Sequence, residues 1–509
     1  MPTCVHSFTI SGIDGVPVDI EAMTQYGKPQ LMIIGLGDQA IREASERIQS
    51  AITVSGFKYP VMKNIINLAP GDLRKQGSHF ELGMAIALLA ETDQLVRTGV
   101  PHYAFFGELS LDGRIRGCSG MLPLVLAAKE NGFRYIVLPK DNLPEATLVK
   151  DVDLFGFSTL QEVVSFFRGN PERVGQADPN AFIRRKKTDH SLDFHDVKGQ
   201  PDAVRAALIA AAGGHNLLMT GSPGCGKTMI AQRIPSILPP LSPEESTEVT
   251  KIHSIAGLLA KDEGWVEQRP FRAPHHNVSL NALVGGGASA KPGEVSLAHH
   301  GVLFLDELPE YSRKTLEALR QPLEDGFVAI SRVKTSHCYP AQMMLVAAMN
   351  PCPCGYAGNG RCVCTSGEIG KYHKKLSGPL LDRVDIHCTL KPVAISSFAT
   401  GNAGISSSDM QQRVTAARRI QQKRFSKIPG LYVNSRMGSA HLLAFCELNP
   451  ESLKLLQSAC EQHQASARNY HRVLRIARTL ADLDASESIR YEDVATALRY
   501  QPSPDMTMD

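Results

Sequence analysis

The segment GSPGCGKT in the middle of the chain carries the residue types needed to hold phosphate groups. It follows an apolar run ending at Thr220 and leads into a helix-like pattern. Its glycines allow successive backbone N–H groups to point inward around phosphate oxygens, where a helix N-terminus adds a favourable field. This is the P-loop pattern in its strand–loop–helix setting. We predict that Lys227 contacts the terminal phosphates of a nucleotide, that Thr228 ligates Mg²⁺, and that the rest of the loop completes the site: Gly221, Ser222, Pro223, Gly224, Cys225, Gly226 and Met229.

Two acidic residues follow a second apolar run, in the segment HHGVLFLDELPE. The run is typical of a strand, and it ends in Asp306 and Glu307. In P-loop enzymes such acids hold the magnesium ion and activate the attacking water. We assign Asp306 to the metal, through its bound water, and Glu307 to the attacking water. A third apolar run, QMMLVAAMN, ends at Asn350, whose amide either orients that water or only caps the strand.

An arginine in the segment GPLLDRVDIH completes the set of candidate catalytic residues. If it lies on a neighbouring subunit, Arg383 can stabilise charge in the transition state, an effect worth about 10³–10⁵ in rate. The alternative is a local ion pair with Asp382 or Asp385. The sequence leaves both interpretations open.

Four of the 11 cysteines lie close together in the segment NPCPCGYAGNGRCVCTSG. The pattern CxC-x7-CxC, with glycines between the pairs, allows two short turns to present four thiolates tetrahedrally to Zn²⁺. Packing thiols that stay reduced and a redox switch are the alternative interpretations. The candidate zinc ligands are Cys352, Cys354, Cys362 and Cys364.

The elements that must position these residues belong to an ordinary globular chain. Its 509 residues are 43% hydrophobic and 21% charged, which is typical of a soluble protein with two to four domains. The N-terminus lacks a signal-peptide pattern, and no apolar stretch is long enough to span a membrane. We therefore expect a cytoplasmic protein with reduced thiols and no membrane insertion. The net charge of +3 is too small to indicate a nucleic-acid partner.

Alternating strand-like and helix-like segments predict an α/β fold with a helical C-terminal part. Residues 1–168 form a first α/β domain, and residues 169–190 form a polar, basic linker. A second α/β region covers residues 191–392 and contains the cysteine cluster as an insertion at 350–366. Residues 393–509 begin with a Gly/Ser-rich joint and continue with helical periodicity and no good strand.

Taken in order, these motifs closely resemble the magnesium-chelatase-like AAA+ ATPases. The resemblance rests on the segments DFHDVKGQ, GSPGCGKT, VLFLDE, AAMNPCPCGY, SGPLLDRVD and SARNYHRVLRIARTLADL, which extend over most of the chain. Within these ATPases the chain looks like the bacterial YifB/ComM group. The resemblance implies ATP and Mg²⁺ as cofactors. It also implies a Walker B pair of Asp306 and Glu307, a first sensor at Asn350 and an arginine finger at Arg383.

The resemblance places a second sensor at the start of a helix in the predicted lid. Arg468 is the first candidate, and Arg475, two turns later, is the second. On the alternative interpretation both arginines lie on the solvated face of an amphipathic helix.

The first domain is similar to the proteolytic domain of Lon proteases. The similarity rests on GELSLDGRIRGCSGMLPLVLAAKENGFRYIVLPKDN and LRKQGSHFELGMAIALLA. Matched position by position, the nucleophilic serine falls on His79 and its lysine partner on Leu122. Ser78 is adjacent, but a Ser–Lys pair needs an amine to accept the hydroxyl proton, and leucine has none. We predict a Lon-like scaffold that is not a protease and that serves assembly or a partner.

Two segments of the ATPase region are candidates for gripping DNA. A Gly-rich insertion before the acidic pair carries Lys291, and a predicted hairpin ahead of Asn350 carries Arg332 and Lys334. Basic side chains on moving hairpins suit sequence-independent binding of single strands. The alternative is a solvated hairpin edge that cations protect from aggregation.

Two classes of function follow from the resemblance. The favoured one is a DNA motor, a helicase that promotes branch migration in homologous recombination during natural transformation. It would act on single-stranded and branched DNA, form a homo-hexamer in the presence of ATP or DNA, and work with recombination proteins. The alternative is a chelatase-type remodelling ATPase that acts on a protein partner.

Overall fold

The protein was analysed as a computed structural model that describes residues 2–169, 192–259, 264–287, 290–331, 336–358, 360–392, 404–462 and 466–502. Most of the predicted linker and of the Gly/Ser-rich joint lies outside these residues. The chain divides into two compact units. The first contains Met1–Lys186, Pro243–Val266 and Ser331–Cys338, and the second contains Lys187–Ser242, Glu267–Ile330 and Tyr339–Asp509. Each unit is described by itself.

The first unit is built mainly from the N-terminal third of the chain. Its elements are β1 (Thr3–Ser11), β2 (Asp14–Gln25), β3 (Gln30–Ile34), α1 (Gln39–Val54), β4 (Lys63–Ala69), α2 (Glu81–Glu91), β5 (Tyr103–Phe105), β6 (Glu108–Leu109), β7 (Ile115–Arg116), α3 (Met121–Glu130), β8 (Tyr135–Pro139), α4 (Leu143–Ala146), β9 (Asp153–Phe157) and α5 (Leu160–Phe167).

Seven strands of this unit form one mixed sheet in the order β3-β4-β2-β1-β5-β8-β9. The β1–β2 and β2–β4 pairs are antiparallel, whereas β1–β5, β5–β8 and β8–β9 are parallel. Helix α2 is buried along almost its whole length because its sequence, ELGMAIALLAE, is apolar on every side. The sheet and its helices enclose two apolar clusters, one around α1 and α2 and the other around α3.

A helix from the middle of the chain also belongs to the first unit. It is formed by Pro243–Ala256, and its Ser254 hydroxyl donates a 2.7 Å hydrogen bond to the buried Glu145 carboxylate. The Gly120 N–H donates to the Ser254 carbonyl at 3.0 Å. Burial raises the pKa of Glu145, and hydrogen bonds from Ser254, Asn142 and the Leu122 N–H oppose that effect. The compact units are discontinuous along the chain, whereas the sequence analysis divided it into consecutive domains, and those domain bounds stay a prediction.

The second unit contains the motif-rich part of the chain. With the helix Pro243–Ala256 of the first unit numbered α8, its elements are α6 (Pro201–Gly213), β10 (Leu217–Gly221), α7 (Lys227–Ile237), β11 (Phe271–Arg272), α9 (Leu280–Val284), β12 (Gly285–Gly286), β13 (Lys291–Pro292), α10 (Glu294–Leu297), β14 (Val302–Leu305), α11 (Arg313–Ala318), α12 (Arg320–Asp325), β17 (Met344–Met349), α13 (Ser366–His373), α14 (Gly378–Leu381) and β18 (Ile386–Leu390). Strands β15 (Phe327–Ser331) and β16 (Ser336–Pro340) are divided between the two units, since Ser331–Cys338 belongs to the first.

A five-stranded parallel sheet forms the centre of the second unit, in the order β11-β14-β17-β10-β18. Every residue of β10, β14 and β17 is buried, as expected for apolar strands covered on both faces. Strand β17 lies between β10 and β14. Because all strands run the same way, the segments that follow them emerge at one edge of the sheet. Ligands of open α/β sheets bind at this carboxyl edge.

Among the described residues after β18, the helices are α15 (Ser407–Phe425), α16 (Ser439–Phe445), α17 (Pro450–Gln462), α18 (Ala467–Leu483) and α19 (Tyr491–Leu498). Helix α18 begins after Ser466, whose hydroxyl accepts from the Asn469 N–H. Its apolar face packs into the same hydrophobic cluster as α6 and the sheet. The predicted helical C-terminal part is therefore present in the described residues, and it shares a core with the sheet.

Candidate active site

The P-loop connects β10 to α7 with a backbone that requires glycine. Gly224 and Gly226 have φ values of 77° and 95°, which side chains other than glycine rarely adopt. A Cβ atom on Gly221 would lie 2.7 Å from Cys225 Sγ and 2.9 Å from the Leu390 carbonyl oxygen. Helix α7 begins at Lys227, so its free N–H groups face the loop. The predicted strand–loop–helix setting is present.

Lys227 lies at the centre of this loop. Its amine donates to the carbonyl oxygens of Gly221 at 2.6 Å and Ser222 at 3.1 Å. It also donates to Asn350 Oδ1 at 3.1 Å. The side chain is mostly buried, so these contacts satisfy a cation that would otherwise be desolvated at high cost. Lys227 and Asn350 therefore lie in direct contact beside the P-loop, and the role of Asn350 in orienting water stays a prediction.

The predicted magnesium residues meet beside the loop. Thr228 Oγ1 donates to Asp306 Oδ2 at 2.8 Å. These two oxygens come from the start of α7 and from the residue after β14, and they meet because α7 begins and β14 ends at the carboxyl edge of the sheet. Hydroxyl and carboxylate oxygens are the ligand types that Mg²⁺ prefers. The pair therefore fits a magnesium ion bound with a nucleotide.

Glu307 extends from the same turn with an exposed side chain. Its backbone lies in the left-handed region at φ 51°, and its N–H donates to Asp306 Oδ1 at 2.9 Å. Glu307 Oε2 lies 3.4 Å from Nδ1 of His276. A non-glycine residue in this region is strained, and such strain is concentrated at functional sites. The sequence analysis did not assign a role to His276, although the paired histidines of RPFRAPHHNVS were a usable signal.

The four clustered cysteines bring their sulfur atoms together. The Sγ–Sγ distances are 3.3 Å for Cys352–Cys354, 3.8 Å for Cys352–Cys362 and 3.7 Å for Cys354–Cys362. The ligand atoms of all four, Cys364 included, lie within 4.8 Å of one another. Four ligands at Zn–S distances of about 2.3 Å define a tetrahedron with edges of about 3.8 Å. The donor set and spacing therefore fit Zn²⁺.

Backbone N–H groups point at these sulfur atoms. The Ala357 N–H donates to Cys352 Sγ at 3.2 Å. Hydrogen bonds from the backbone N–H groups of Val363 and Tyr356 lower the pKa of Cys354 to about 6. Such bonds favour the thiolate, which is the form that binds metal.

The cysteine segment also packs against the P-loop. A Cβ atom on Gly355 would lie 2.7 Å from Cγ and Cδ of Pro223, so only glycine fits without displacement. His373 Nε2 donates to the carbonyl oxygen of Pro351 at 3.0 Å, which fixes the other end of the segment to α13. The cysteine turns thus lie directly beside the phosphate-binding loop.

Arg383 and Arg468 lie in a different place. They line a cavity of about 270 Å³ together with Arg436, Arg472 and Arg475. Arg468 Nη1 lies 3.3 Å from Asp382 Oδ2, and Arg472 Nη2 donates to the Asp382 carbonyl oxygen at 3.0 Å. Burial lowers the pKa of Arg436 and of Arg472, which shows that these cations are held at a cost in solvation. Glu324, Asp382 and Asp385 line the same cavity, so its five arginines outnumber its carboxylates by two, and this excess of positive charge suits an anionic group.

Arg383 itself has different partners from those predicted for a local pair. Its Nη1 donates to the Pro379 carbonyl oxygen at 2.6 Å, and its Nη2 pairs with the carboxylate of Glu324. The sequence analysis considered Asp382 and Asp385 as local partners, but the ion pair is made with Glu324. The residues that the sequence analysis missed here are Arg436 and Arg472. The spacing of Arg468, Arg472 and Arg475, one helical turn apart, could have indicated a shared face.

The arginine cavity is at the opposite edge of the sheet from the P-loop. Asn216, which also lines it, immediately precedes β10, whereas the P-loop follows β10. A five-residue strand extends roughly 16 Å at about 3.3 Å per residue. The structure therefore does not bring Arg383 or Arg468 to the P-loop of the same chain.

The positions matched to the Lon nucleophile carry no Ser–Lys pair. His79 is buried, its Nε2 donates to the Phe8 carbonyl oxygen at 2.8 Å, and burial lowers its pKa to about 4. Leu122 is buried on α3. The Ser78 hydroxyl bonds to the carboxylate of Glu108. The prediction that this unit is not a protease remains a prediction.

Of the candidate DNA contacts, only Lys291 can be located. It is exposed in β13, which pairs with β12. Strands β15 and β16 pair with each other, as the predicted hairpin requires. Arg332 and Lys334 lie between them, outside the described residues. Among the described residues, no helix is long and apolar enough to cross a membrane.

Comparisons with known proteins agree with this geometry. The family profile described as magnesium chelatase, subunit ChlI, matches residues 193–398. The profile described as subunit ChlI of Mg-chelatase matches residues 20–142, and the one for the ChlI C-terminal part matches residues 404–501. A P-loop on a parallel α/β sheet, joined to a helical part, is thus shared with an AAA+ ATPase family. The protein is an AAA+ ATPase of the magnesium-chelatase type.

Relatives that match almost the whole chain identify a smaller family within this class of ATPases. The chain is 40% identical over 502 residues to competence protein ComM of Haemophilus influenzae, covering 98% of this chain and 97% of the relative. It is 41% identical over 504 residues to the uncharacterised protein YifB of Escherichia coli, covering 98% and 96%. The chain therefore belongs to the ComM/YifB family, which confirms the resemblance read from the motifs.

Shorter matches bear on the fold. Lon protease of Leptospira interrogans is 27% identical over 145 residues, which is 28% of this chain and 17% of that protein. DNA repair protein RadA of Halalkalibacterium halodurans is 25% identical over 164 residues, 32% of this chain and 35% of that protein. The predicted fold class is confirmed: a Lon-protease-like α/β part, a P-loop AAA+ part and C-terminal helices.

Proposed function

We propose that the protein is an ATP-driven DNA motor that works as a homo-hexameric ring. Its activity would be that of a cytoplasmic helicase promoting branch migration in homologous recombination during natural transformation. Single-stranded and branched DNA are its substrates, and recombination proteins are its further partners.

One observation carries the proposal of a ring. The P-loop and the arginine cavity occupy opposite edges of one sheet. In this proposal each chain carries both halves of an ATPase site and uses them in two different sites. A second copy can supply its cavity to the P-loop of the first, and the same contact repeated around an axis closes a ring. Arg383 and Arg468 then act on the nucleotide of the neighbouring subunit.

The residues at the P-loop have separate tasks in this proposal. Lys227 and the loop N–H groups bind the phosphates of ATP, while Thr228 and Asp306 hold Mg²⁺. The ion, when bound, neutralises charge that develops on the phosphates. Glu307 accepts a proton from the attacking water, and Asn350 holds that water in line.

DNA is proposed as the substrate for two reasons. The full-length relative from Haemophilus influenzae is named a competence protein, and the shorter match is named a DNA repair protein. Lys291 is exposed in β13, where a cation can contact a phosphate backbone. The alternative, a remodelling ATPase acting on a protein, is favoured by the matches to magnesium chelatase subunit profiles.

DNA should stimulate ATP hydrolysis if the motor proposal is right. We expect a several-fold rise in turnover with single-stranded or forked DNA, and unwinding of a labelled fork that needs ATP. Phosphate release and gel-resolved unwinding measure the two effects. Heparin at matched charge controls for nonspecific polyanion binding, and Glu307→Gln controls for contaminating helicases. Absence of both stimulation and DNA binding would favour the remodelling alternative.

We further propose that Cys352, Cys354, Cys362 and Cys364 hold a structural Zn²⁺. The four sulfur atoms lie within 4.8 Å of one another, and the Ala357 N–H donates to Cys352 Sγ. The ion would supply rigidity rather than catalysis, because all four of its positions are filled by protein. Through Gly355 and Pro223, that rigidity extends to the P-loop.

Purified, reduced protein should contain about one zinc per chain. Replacing any one of these cysteines by serine should release most of it, because a closed tetrahedral site needs every ligand. Binding should also weaken on acidification, since the ligands must be deprotonated. Elemental analysis measures the content, and Cys338→Ser, an exposed cysteine outside the cluster, is the control. Metal-free protein with full activity in the quadruple serine variant would contradict the proposal.

A further inference from the structure

The two residues before β10, His215 and Asn216, form hydrogen bonds to the turn that carries Arg383. Asn216 Nδ2 donates to the Arg383 carbonyl oxygen at 2.8 Å. The Asn216 carbonyl oxygen accepts from the N–H groups of Asp385 at 3.1 Å and Ile386 at 3.0 Å. The Asn216 side-chain oxygen also accepts from the Leu345 N–H at 2.8 Å, which anchors it to β17. The turn is therefore fastened to the start of the strand that ends in the P-loop.

His215 adds a side-chain link to the same turn. Its ring is fully buried, and Nδ1 lies 3.0 Å from Asp385 Oδ2. Burial by itself would raise the pKa of Asp385, but the hydrogen bond and charge of His215, with Arg475 and Arg472, hold it below its usual value. The carboxylate is thus ionised and can only accept, so Nδ1 carries the proton that it donates.

The other ring nitrogen of His215 reaches the helix that carries the remaining arginines. Nε2 lies 2.9 Å from Thr479 Oγ1 in α18. The Thr479 hydroxyl donates to the Arg475 carbonyl oxygen at 2.9 Å and accepts from Asn434 Nδ2 at 3.0 Å. One imidazole therefore joins the Arg383 turn to the helix of Arg468, Arg472 and Arg475.

Gly213 has no side chain, and this leaves space for the His215 ring. A Cβ atom there would lie 2.2 Å from His215 Nε2 and 2.6 Å from Thr479 Oγ1. Contacts below 3.0 Å force one of the groups to move. Gly213 ends α6, where alanine would otherwise suit the helix better. The glycine is thus explained by the hydrogen bond between His215 and Thr479.

We propose that His215 is a positioning residue for Arg383, acting through the Asp385 carboxylate. This inference rests on the proposed function, in which Arg383 serves the nucleotide of the neighbouring subunit. In this arrangement each subunit contributes to two ATP sites, its own and that of its neighbour, and β10 connects the two. One end of the strand forms the P-loop for the subunit's own nucleotide, and the other end sets the arginine presented to the next one.

The test begins with His215→Ala, His215→Gln and Thr479→Val. His215→Ala should lower turnover by about ten- to hundredfold, since a misplacement of about 1 Å can cost that much. The affinity of its own P-loop for a fluorescent ATP analogue should stay within about twofold of wild type. His215→Gln, whose amide can donate to Asp385, should retain more turnover. Thr479→Val keeps the Asp385 bond but removes the partner of His215 Nε2 and Asn434 Nδ2, so it should lose turnover, though less than His215→Ala. His441→Ala, which removes a helix-capping ring, is the control.

Mixed rings show which ATP site depends on His215. His215→Ala mixed with Lys227→Ala should regain activity, because the Lys227→Ala subunit offers an intact arginine cavity to an intact P-loop. His215→Ala mixed with Arg383→Ala should regain none, because both lack a correctly placed arginine. Gly213→Ala should behave like His215→Ala in both mixtures. Subunit exchange is confirmed by mass photometry or by a tag on one variant.

Three results decide the matter. Recovery with Arg383→Ala but not with Lys227→Ala would assign His215 to its own P-loop and overturn the inference. Weakened ATP binding by His215→Ala would also overturn the inference. If Arg383→Ala and Lys227→Ala also fail to restore activity in proven mixed rings, then Arg383 does not act on the neighbouring subunit. In that case the proposed function is wrong, rather than only the role of His215. If His215→Ala does not fold, the same mixtures are made with His215→Gln and Asp385→Asn.

Discussion

Replacing Arg383 by alanine should reduce ATP turnover by about 10³–10⁵-fold, the range known for arginines that stabilise phosphoryl-transfer transition states. Nucleotide affinity of the same subunit should change little, because its P-loop is at the other edge of the sheet. Loss of the pair with Glu324 should matter less, since that carboxylate is exposed and exposed pairs contribute at most about 1 kcal/mol. Steady-state phosphate release and equilibrium binding of a fluorescent analogue measure the two quantities.

The neighbouring-subunit assignment can be separated from a folding defect. Arg383→Ala mixed with Lys227→Ala should recover part of the activity, because some interfaces combine an intact cavity with an intact P-loop. Arg134→Ala, an exposed arginine paired with Asp153 in the first unit, is a matched control and should keep normal turnover. A variant that binds ATP poorly, or mixed rings that never recover activity, would count against the assignment.

Glu307→Gln should bind ATP normally and hydrolyse it about 10²–10⁴-fold more slowly, the usual effect of losing a general base. The amide keeps the size of the carboxylate and suits the same strained backbone, but it cannot take a proton from water. Since the nucleotide persists, the variant should also accumulate assembled rings. Phosphate release and analytical ultracentrifugation with ATP measure hydrolysis and assembly.

A neighbouring carboxylate provides the control for Glu307. Glu310 lies on the same turn, is exposed and pairs with Lys375 at 3.3 Å. Glu310→Gln has the same change of charge and should hydrolyse ATP at a near-normal rate. Normal hydrolysis by Glu307→Gln would instead show that another group activates the water. His276, 3.4 Å from Glu307, would then be the next residue to replace.

Local patterns accounted for the phosphate-binding loop and the acidic pair. The glycines at 224 and 226 were predictable because the loop needs positive φ at those positions, and the structure has it. The contact of Thr228 with Asp306 was also foreseeable, because the helix after β10 starts at the edge of the parallel sheet where β14 ends, and Asp306 directly follows β14. Such features depend on a few adjacent residues, which is why sequence spacing suffices to predict them.

The cysteine cluster was only partly predictable. The spacing of Cys352, Cys354, Cys362 and Cys364 predicted one zinc site, and their sulfur atoms do lie within 4.8 Å of one another. The zinc itself stays a prediction. The packing of Gly355 on Pro223 was not visible in the sequence. It joins residues from different loops that meet only because β17 lies beside β10.

By itself, the sequence determined which chemical groups the chain has and which short segments carry them: the P-loop, the acidic pair, Asn350 and the cysteine turns. Only the tertiary structure decided where distant groups meet. Asp385 is 170 residues from His215, and Thr479 is 264 residues from it, yet one buried imidazole contacts both. The edge of the sheet at which Arg383 lies likewise depends on strand order and direction. Local propensity does not encode either, because both arise from burying several apolar strands and helices around one common core.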